Sequence, residues 1–319
     1  MKFTAALLAT SAAALSTSSK YMQYVLEHNK SYITIEEFEA RKAIFAENDE
    51  LVESHNQSNS SFTLGHNKFS DMTEGEKSRY RGRIAQTVNS TNPIVFDTLS
   101  TPTSIDWREE GCVNAIRDQG QCGSCWAFSS VVALEGAHCA ATGQLLEFSE
   151  QQLVDCAFLK YGNFGCGGGL EQNAFTYWET HNAIARDAYP YTAKNGDCKY
   201  DSLTNTGIEV ATYTDVTPES DSQMKAALAQ QPISVAIEAD KAVFQLYKTG
   251  VFDSASCGTD LDHAVALVGF GSEGGQDYYI LRNSWGTTWG DQGYMKIADQ
   301  GTGAGICGVQ SAPTFPSSN

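Results

Sequence analysis

The ten residues Gln119 to Phe128, reading Gln-Gly-Gln-Cys-Gly-Ser-Cys-Trp-Ala-Phe, place Cys125 where a glycine-rich turn passes into an apolar run of helical character. A helix start presents four unpaired N–H groups and the positive end of the helix dipole, so a thiol held there ionises more readily than free cysteine. Because a thiolate attacks carbonyl carbon and a thiol barely does, Cys125 is a candidate nucleophile. Cys122 and Cys125, three apart, also fit half a zinc site or a redox-active pair. No second Cys-x-x-Cys follows at zinc-ribbon spacing, no His-x-x-x-His completes a finger, and no strand immediately precedes the motif, which disfavours both of those readings.

A thiolate nucleophile needs a base and a group that orients the base. His263 opens the apolar run His263-Ala264-Val265-Ala266-Leu267-Val268, which reads as a buried strand, 138 residues after Cys125. Asn283 ends a second apolar strand, Tyr279-Ile280-Leu281-Arg282, at a turn. Together, Gln119–Phe128, Leu261-Asp262-His263-Ala264-Val265 and Asn283-Ser284-Trp285-Gly286 resemble the three active-site motifs of papain-like cysteine proteases.

The resemblance implies Cys125 as nucleophile, His263 as ion-pair partner and general acid, and Asn283 as the orienter of the imidazole. Trp285 would cover the His263–Asn283 hydrogen bond, and Gln119 would join the Cys125 backbone N–H in an oxyanion hole. Backbone contacts to an extended peptide would come from Gly168, Gly169 and Asp262. The pocket for the residue two before the scissile bond (P2) would draw on Leu170, Glu171, Ala236, Leu261 and Ala312. That lining is mostly apolar, so Leu, Val or Phe is expected there in preference to Arg, although Glu171 departs from the usual apolar residue and could admit basic character. No paired-histidine insertion is present, which favours endopeptidase over exopeptidase action. No metal and no organic cofactor is implied.

Helix signals gather between Cys125 and Tyr191: the run after the nucleophile, Ser149 with Gln152 as a capping box opening Gln151–Asp155, and Leu170–Thr180. Beyond Tyr213, apart from helices after Thr217-Pro218 and near Val243–Tyr247, alternating Val, Ile and Tyr with glycine-rich turns read as an antiparallel sheet. The expected class is α+β, a papain-like two-lobe fold with a helical lobe over about 111–211 and a β-barrel-like lobe over about 212–319.

The nine cysteines are odd in number, so eight can pair and one remains for chemistry. By resemblance Cys122 pairs with Cys166, Cys156 with Cys198, and Cys257 with Cys307. Cys112 and Cys139 match none of the usual three bridges, and parity makes them either a fourth bridge or two buried thiols.

Lys2 followed by the apolar run Phe3–Leu15 reads as a signal peptide, cleaved between Ala14 and Ser19, within a leader of residues 1–19. Residues 20 to about 100 read as an inhibitory prosegment ahead of a peptidase domain over 101–319. Thr34 and Glu37 form a capping box, after which Glu37, Arg41, Phe45, Asn48, Val52 and Asn56 fall on one helix face. This series and the later Gly65, Asn67, Phe69 and Asp71 resemble two propeptide motifs of the cathepsin L-like branch. Four glycosylation sequons, at Asn29, Asn56, Asn59 and Asn89, lie in this segment, with Asn56 also claimed by the helix face. Processing is expected near Thr101.

A formal net charge of −17 argues against partners that need a basic surface, such as nucleic acid or an anionic membrane. Protein and peptide substrates, the chain's own prosegment and cystatin-like inhibitors are the partners the resemblance implies, for a monomer in a lysosome, acidic vacuole or extracellular space.

Overall fold

The computed structural model describes residues 16–85 and 93–318. The leader up to Leu15 and the Asn89 sequon therefore lie outside the described residues. Helix α1 (Thr17–Glu27) starts inside the expected cleavage window, with Ser16 accepting from the Ser19 N–H.

Helix α2 (Ile35–Asn56) is capped by Thr34, which accepts from the Glu37 N–H; the Glu37 carboxylate reaches back to Ile33 instead of Thr34, so only half of the expected capping box closes. On the expected face, Phe45, Asn48 and Val52 are buried. Asn56 uses its amide to bond both the N–H and the C=O of Leu64, each at 2.9 Å, fixing strand β1 (Phe62–Leu64) beside the helix. That engagement occupies the nitrogen a glycan would need. Helix α3 (Glu74–Lys77) carries a complete capping box, Thr73 with Glu76, and Arg41 ties α2 to it through Glu76 at 2.7 Å.

Strand β2 (Ile105–Asp106) precedes α4 (Cys125–Thr142), which is apolar all round, is buried from Cys125 to Cys139 and ends at Gly143 with φ 76°. Such a helix belongs in the middle of a protein. Gly136 lets Pro232 approach it, since a Cβ there would meet the proline ring at 2.4 Å. Helices α5 (Glu150–Cys156) and α6 (Glu171–Trp178) pack on α4 to form the helical lobe, whose core holds Trp126, Leu134, Phe148, Leu153, Phe175 and Trp178.

The remaining elements are β3 (Val210–Asp215), α7 (Asp221–Leu228), β4 (Ile233–Ile237), α8 (Ala242–Gln245), β5 (Tyr247–Phe252), β6 (His263–Glu273), β7 (Gln276–Arg282), β8 (Tyr294–Ala298) and β9 (Thr314–Ser318). The sheet runs β1-β5-β8-β7-β6-β4-β9-β3, with β2 added on β6. Two features differ from a purely antiparallel sheet of the C-terminal half. Strand β5 pairs parallel with β8, and β1, from the prosegment, pairs with β5. Phe62, Leu64, Phe69 and Tyr80 accordingly join the same apolar core as Phe252, Leu281, Trp285 and Trp289. Helix α7 begins after Ser220, whose hydroxyl accepts from the Gln223 N–H, rather than directly after Pro218, and Tyr247 is strand rather than helix.

Disulfides join Cys112–Cys139, Cys122–Cys166, Cys156–Cys198 and Cys257–Cys307, and Cys125 keeps a buried free thiol. The open choice for Cys112 and Cys139 resolves to a bridge that fastens the segment before the motif to the far end of α4.

Candidate active site

Cys125 is the first residue of α4, and Ser124 at its N-cap turns its hydroxyl to the Tyr191 hydroxyl at 2.6 Å instead of capping. The Ser124 carbonyl accepts from the Ala127 and Phe128 N–H groups, at 2.8 and 3.2 Å. His263 is the first residue of β6 and Asn283 follows β7. The His263 Nε2 and Asn283 Oδ1 lie 2.8 Å apart; since Oδ1 only accepts, and accepts also from the Ser284 N–H at 2.8 Å, Nε2 carries the proton and donates. The other ring nitrogen, Nδ1, is buried with no hydrogen-bond partner among the described residues. Trp285 stacks over the imidazole at 4.6 Å between centroids, shielding the His263–Asn283 bond from water.

The two lobes are held in register one helical turn below the thiol. Ser129 Oγ donates to the Val265 carbonyl at 2.7 Å and lies 2.6 Å from Ser234 Oγ, all in a buried setting. Ala264, next to His263, has its backbone toward the Cys125 sulfur and favours the thiolate. Cys125 at the start of α4 and His263 at the start of β6 thus lie on two elements packed against each other.

Gln119 is fully buried, and its amide is oriented by Ser284 Oγ, which donates to Gln119 Oε1 at 2.6 Å. That leaves Nε2 to donate to the carbonyls of Cys122 at 2.9 Å and Tyr80 at 3.1 Å. The Tyr80 carbonyl also accepts from Trp285 Nε1 at 3.0 Å. Sequence reasoning did not single out Ser284, although its place inside the Asn283–Gly286 motif was visible.

The stretch of residues 80–84, which follows helix α3 of the N-terminal segment, lies through this site. Gly82 touches Gly123 so closely that a Cβ on it would meet the Gly123 carbonyl oxygen at 2.0 Å. Its carbonyl accepts from the Gly169 N–H at 2.8 Å, the Ile84 N–H donates to the Gly169 carbonyl at 3.2 Å, and the Arg83 N–H donates to the Asp262 carbonyl at 3.0 Å. Gly168 does not hydrogen bond the prosegment but backs it: at φ 114°, a Cβ there would strike the Gly82 carbonyl oxygen at 2.6 Å. Arg81 pairs with the Asp262 carboxylate at 3.0 Å, and Phe69 meets the Trp285 ring at 4.8 Å.

Around the expected P2 pocket, Leu170 and Glu171 are buried at the start of α6, and Glu171 faces Arg83 with Nε to Oε1 at 3.5 Å. Arg83 and Leu261 line one open groove of about 760 Å³ that Ser311 also borders. Ala312 follows Ser311 and is 7% exposed, while Ala236 is fully buried on β4 opposite Ala264. Glu171 therefore sits inside the protein in this precursor, not at a pocket mouth.

Covering the site changes its electrostatics. Burial pushes the Cys125 thiol up to about 12, against hydrogen bonds from the Ala264 and Gly82 backbones that favour the thiolate. Burial also pulls His263 down to about 3; the Asn283 bond opposes this and the Arg81 charge adds to it. Burial thus favours the neutral thiol and the neutral imidazole in the precursor, where the sequence alone suggested a thiolate. The helix dipole is outweighed because the prosegment removes the water that would solvate the ions.

Residues 101–317 match the family described as papain family cysteine protease, and residues 21–76 match the cathepsin propeptide inhibitor domain (I29). Cysteine proteinase RD21A of Arabidopsis thaliana is 41% identical over 310 residues, covering 94% of this chain and 66% of that protein, so the chain spans about two thirds of that relative's length. Chymopapain of Carica papaya is 40% identical, covering 92% of this chain and 84% of that protein. A solved recombinant stem bromelain precursor superposes with a TM-score of 0.86 at 35% identity, covering 94% of this chain and 98% of that one. This chain belongs to the papain family of cysteine proteases, with a cathepsin-type propeptide inhibitor domain ahead of its protease domain.

Proposed function

We propose that the chain is the zymogen of a cysteine endopeptidase. Removal of the prosegment readmits water to Cys125 and His263, and the proton passes from the thiol to Nδ1, giving a thiolate and an imidazolium. The thiolate attacks a peptide carbonyl, with Gln119 Nε2 and the Cys125 N–H receiving the oxyanion. His263 protonates the leaving amine, and water then hydrolyses the thioester with His263 as base. The observation that carries this reading is the buried His263–Asn283 bond beside a free Cys125 at a helix start.

Residues 1–19 act as leader, 20 to about 100 as inhibitor, and 101–319 as the peptidase, working as a monomer after entry to the secretory pathway, in an acidic vacuole or lysosome or outside the cell. Leu170, Leu261, Ala236 and Ala312 support acceptance of an apolar P2 residue, and the open cleft suits cystatin-like inhibitors. No metal or organic cofactor takes part. The test is self-processing of the purified precursor in acid against Cys125→Ala. Conversion of the wild type alone is the expected result, and an active Cys125→Ala chain would remove the assignment.

A further inference from the structure

Glu171 is an odd residue to find in an apolar pocket. Its side chain is 2% exposed, its Oε1 has no hydrogen-bond partner among the described residues, and the cation facing it is Arg83, itself 1% exposed, at 3.5 Å. A buried carboxylate facing a single cation is tolerable only while that cation stays. Arg83 belongs to the prosegment and leaves with it.

The place of Arg83 identifies the pocket. Gly82, the residue before it, lies at the Cys125 sulfur and on the Gly169 N–H. The Arg83 side chain therefore enters the cavity one residue away from the reacting atom, which is where the P2 side chain of a bound peptide goes. The groove that Arg83 lines carries Glu219, Asp260 and Asp262 as well, so its field favours a positive group.

We propose that Glu171 makes this pocket accept Arg or Lys at P2 alongside apolar residues, the substrate cation taking the position that Arg83 holds in the precursor. The inference rests on the endopeptidase reading and deepens it. Burial raises the Glu171 carboxyl, with Asp215 adding to the rise, and the Arg83 cation opposes both, so a cation at this position is what favours the charged carboxylate. An apolar pocket would reject a P2 arginine, because its charge would be buried without a partner.

Wild-type and Glu171→Gln precursors are self-processed, titrated for active sites, and assayed on two fluorogenic peptides that differ only in Arg or Leu at P2. The expected wild-type kcat/KM for Arg lies within about tenfold of that for Leu, and Glu171→Gln lowers the Arg value by about tenfold or more while changing the Leu value less than about threefold. A wild-type Arg value more than about tenfold below Leu overturns the proposal without any variant being needed, and so does an equal loss on both peptides in Glu171→Gln. Absence of hydrolysis of both peptides by the wild type would instead refute the peptidase reading itself.

Discussion

Ser129 Oγ donates to the Val265 carbonyl at 2.7 Å, so a hydroxyl one turn along the helix that Cys125 opens holds the backbone two residues beyond His263. The same hydroxyl meets Ser234 on β4. Ser129→Ala leaves a buried carbonyl short of a donor, and one such loss costs about 1–3 kcal/mol. The expected result is a lower melting temperature together with a fall in kcat of about tenfold at little change in KM, because the sulfur-to-imidazole approach loosens. An unchanged kcat with lowered stability would show that Ser129 stabilises the lobes without setting the site.

Gln119 and Ser284 should separate cleanly in kinetics. Gln119→Ala would remove the proposed oxyanion donor and is expected to lower kcat by about 100- to 1000-fold. Ser284→Ala leaves that donor but frees the amide to rotate, so a loss of about tenfold is expected, confined to kcat. Equal losses would mean that Ser284 does more than orient.

Gly82→Ala probes the inhibitor's grip. The added methyl would lie 2.0 Å from the Gly123 carbonyl oxygen, with backbone on both sides, so the prosegment must lift from the thiol. Precursor carrying Gly82→Ala is expected to process faster than wild type and to show peptidase activity before cleavage, with the processed enzyme unaltered. Precursor activity indistinguishable from wild type would contradict the close packing.

Acid should open the precursor through His263 itself. In the closed state the imidazole is held at about 3, below its ordinary 6.5, so the open state binds the proton more readily as pH falls from 6.5 toward 3. Closure is favoured fully above 6.5 and weakens across that window. In a Cys125→Ala precursor, which cannot cut itself, hydrogen exchange of residues 80–85 should quicken between pH 6.5 and 4, and His263→Gln should flatten that response. A slope that survives His263→Gln would place the trigger on other groups.

The prosegment helix face was legible because Phe45, Asn48 and Val52 repeat at helical spacing, and the disulfide parity was legible because nine cysteines leave one over. Helix starts with a hydroxyl cap, such as Thr34 and Ser149, announced themselves in the same way. The parallel β5–β8 pairing was hidden, since strand direction depends on long-range partners and leaves no local pattern. The β1 strand, three residues long, is below the length at which alternation can be recognised. At the site, Cys125, His263 and Asn283 could be named from motifs, but their charge state could not, because it depends on how much water residues 80–85 displace. Glu171 stood out as a departure from pattern, yet its partner Arg83 lies 88 residues earlier, and only folding brings them together.

Strand β1 completes the outer edge of the enzyme's own sheet, and Phe62 and Leu64 finish a hydrophobic interior that the peptidase half shares. Loss of the segment that carries Phe62–Leu64 would bare the backbone of Tyr247–Gly250 along with the aromatic surface beneath it. A chain without that segment would have to refold with this sheet edge unpaired, an exposed row of backbone donors and acceptors.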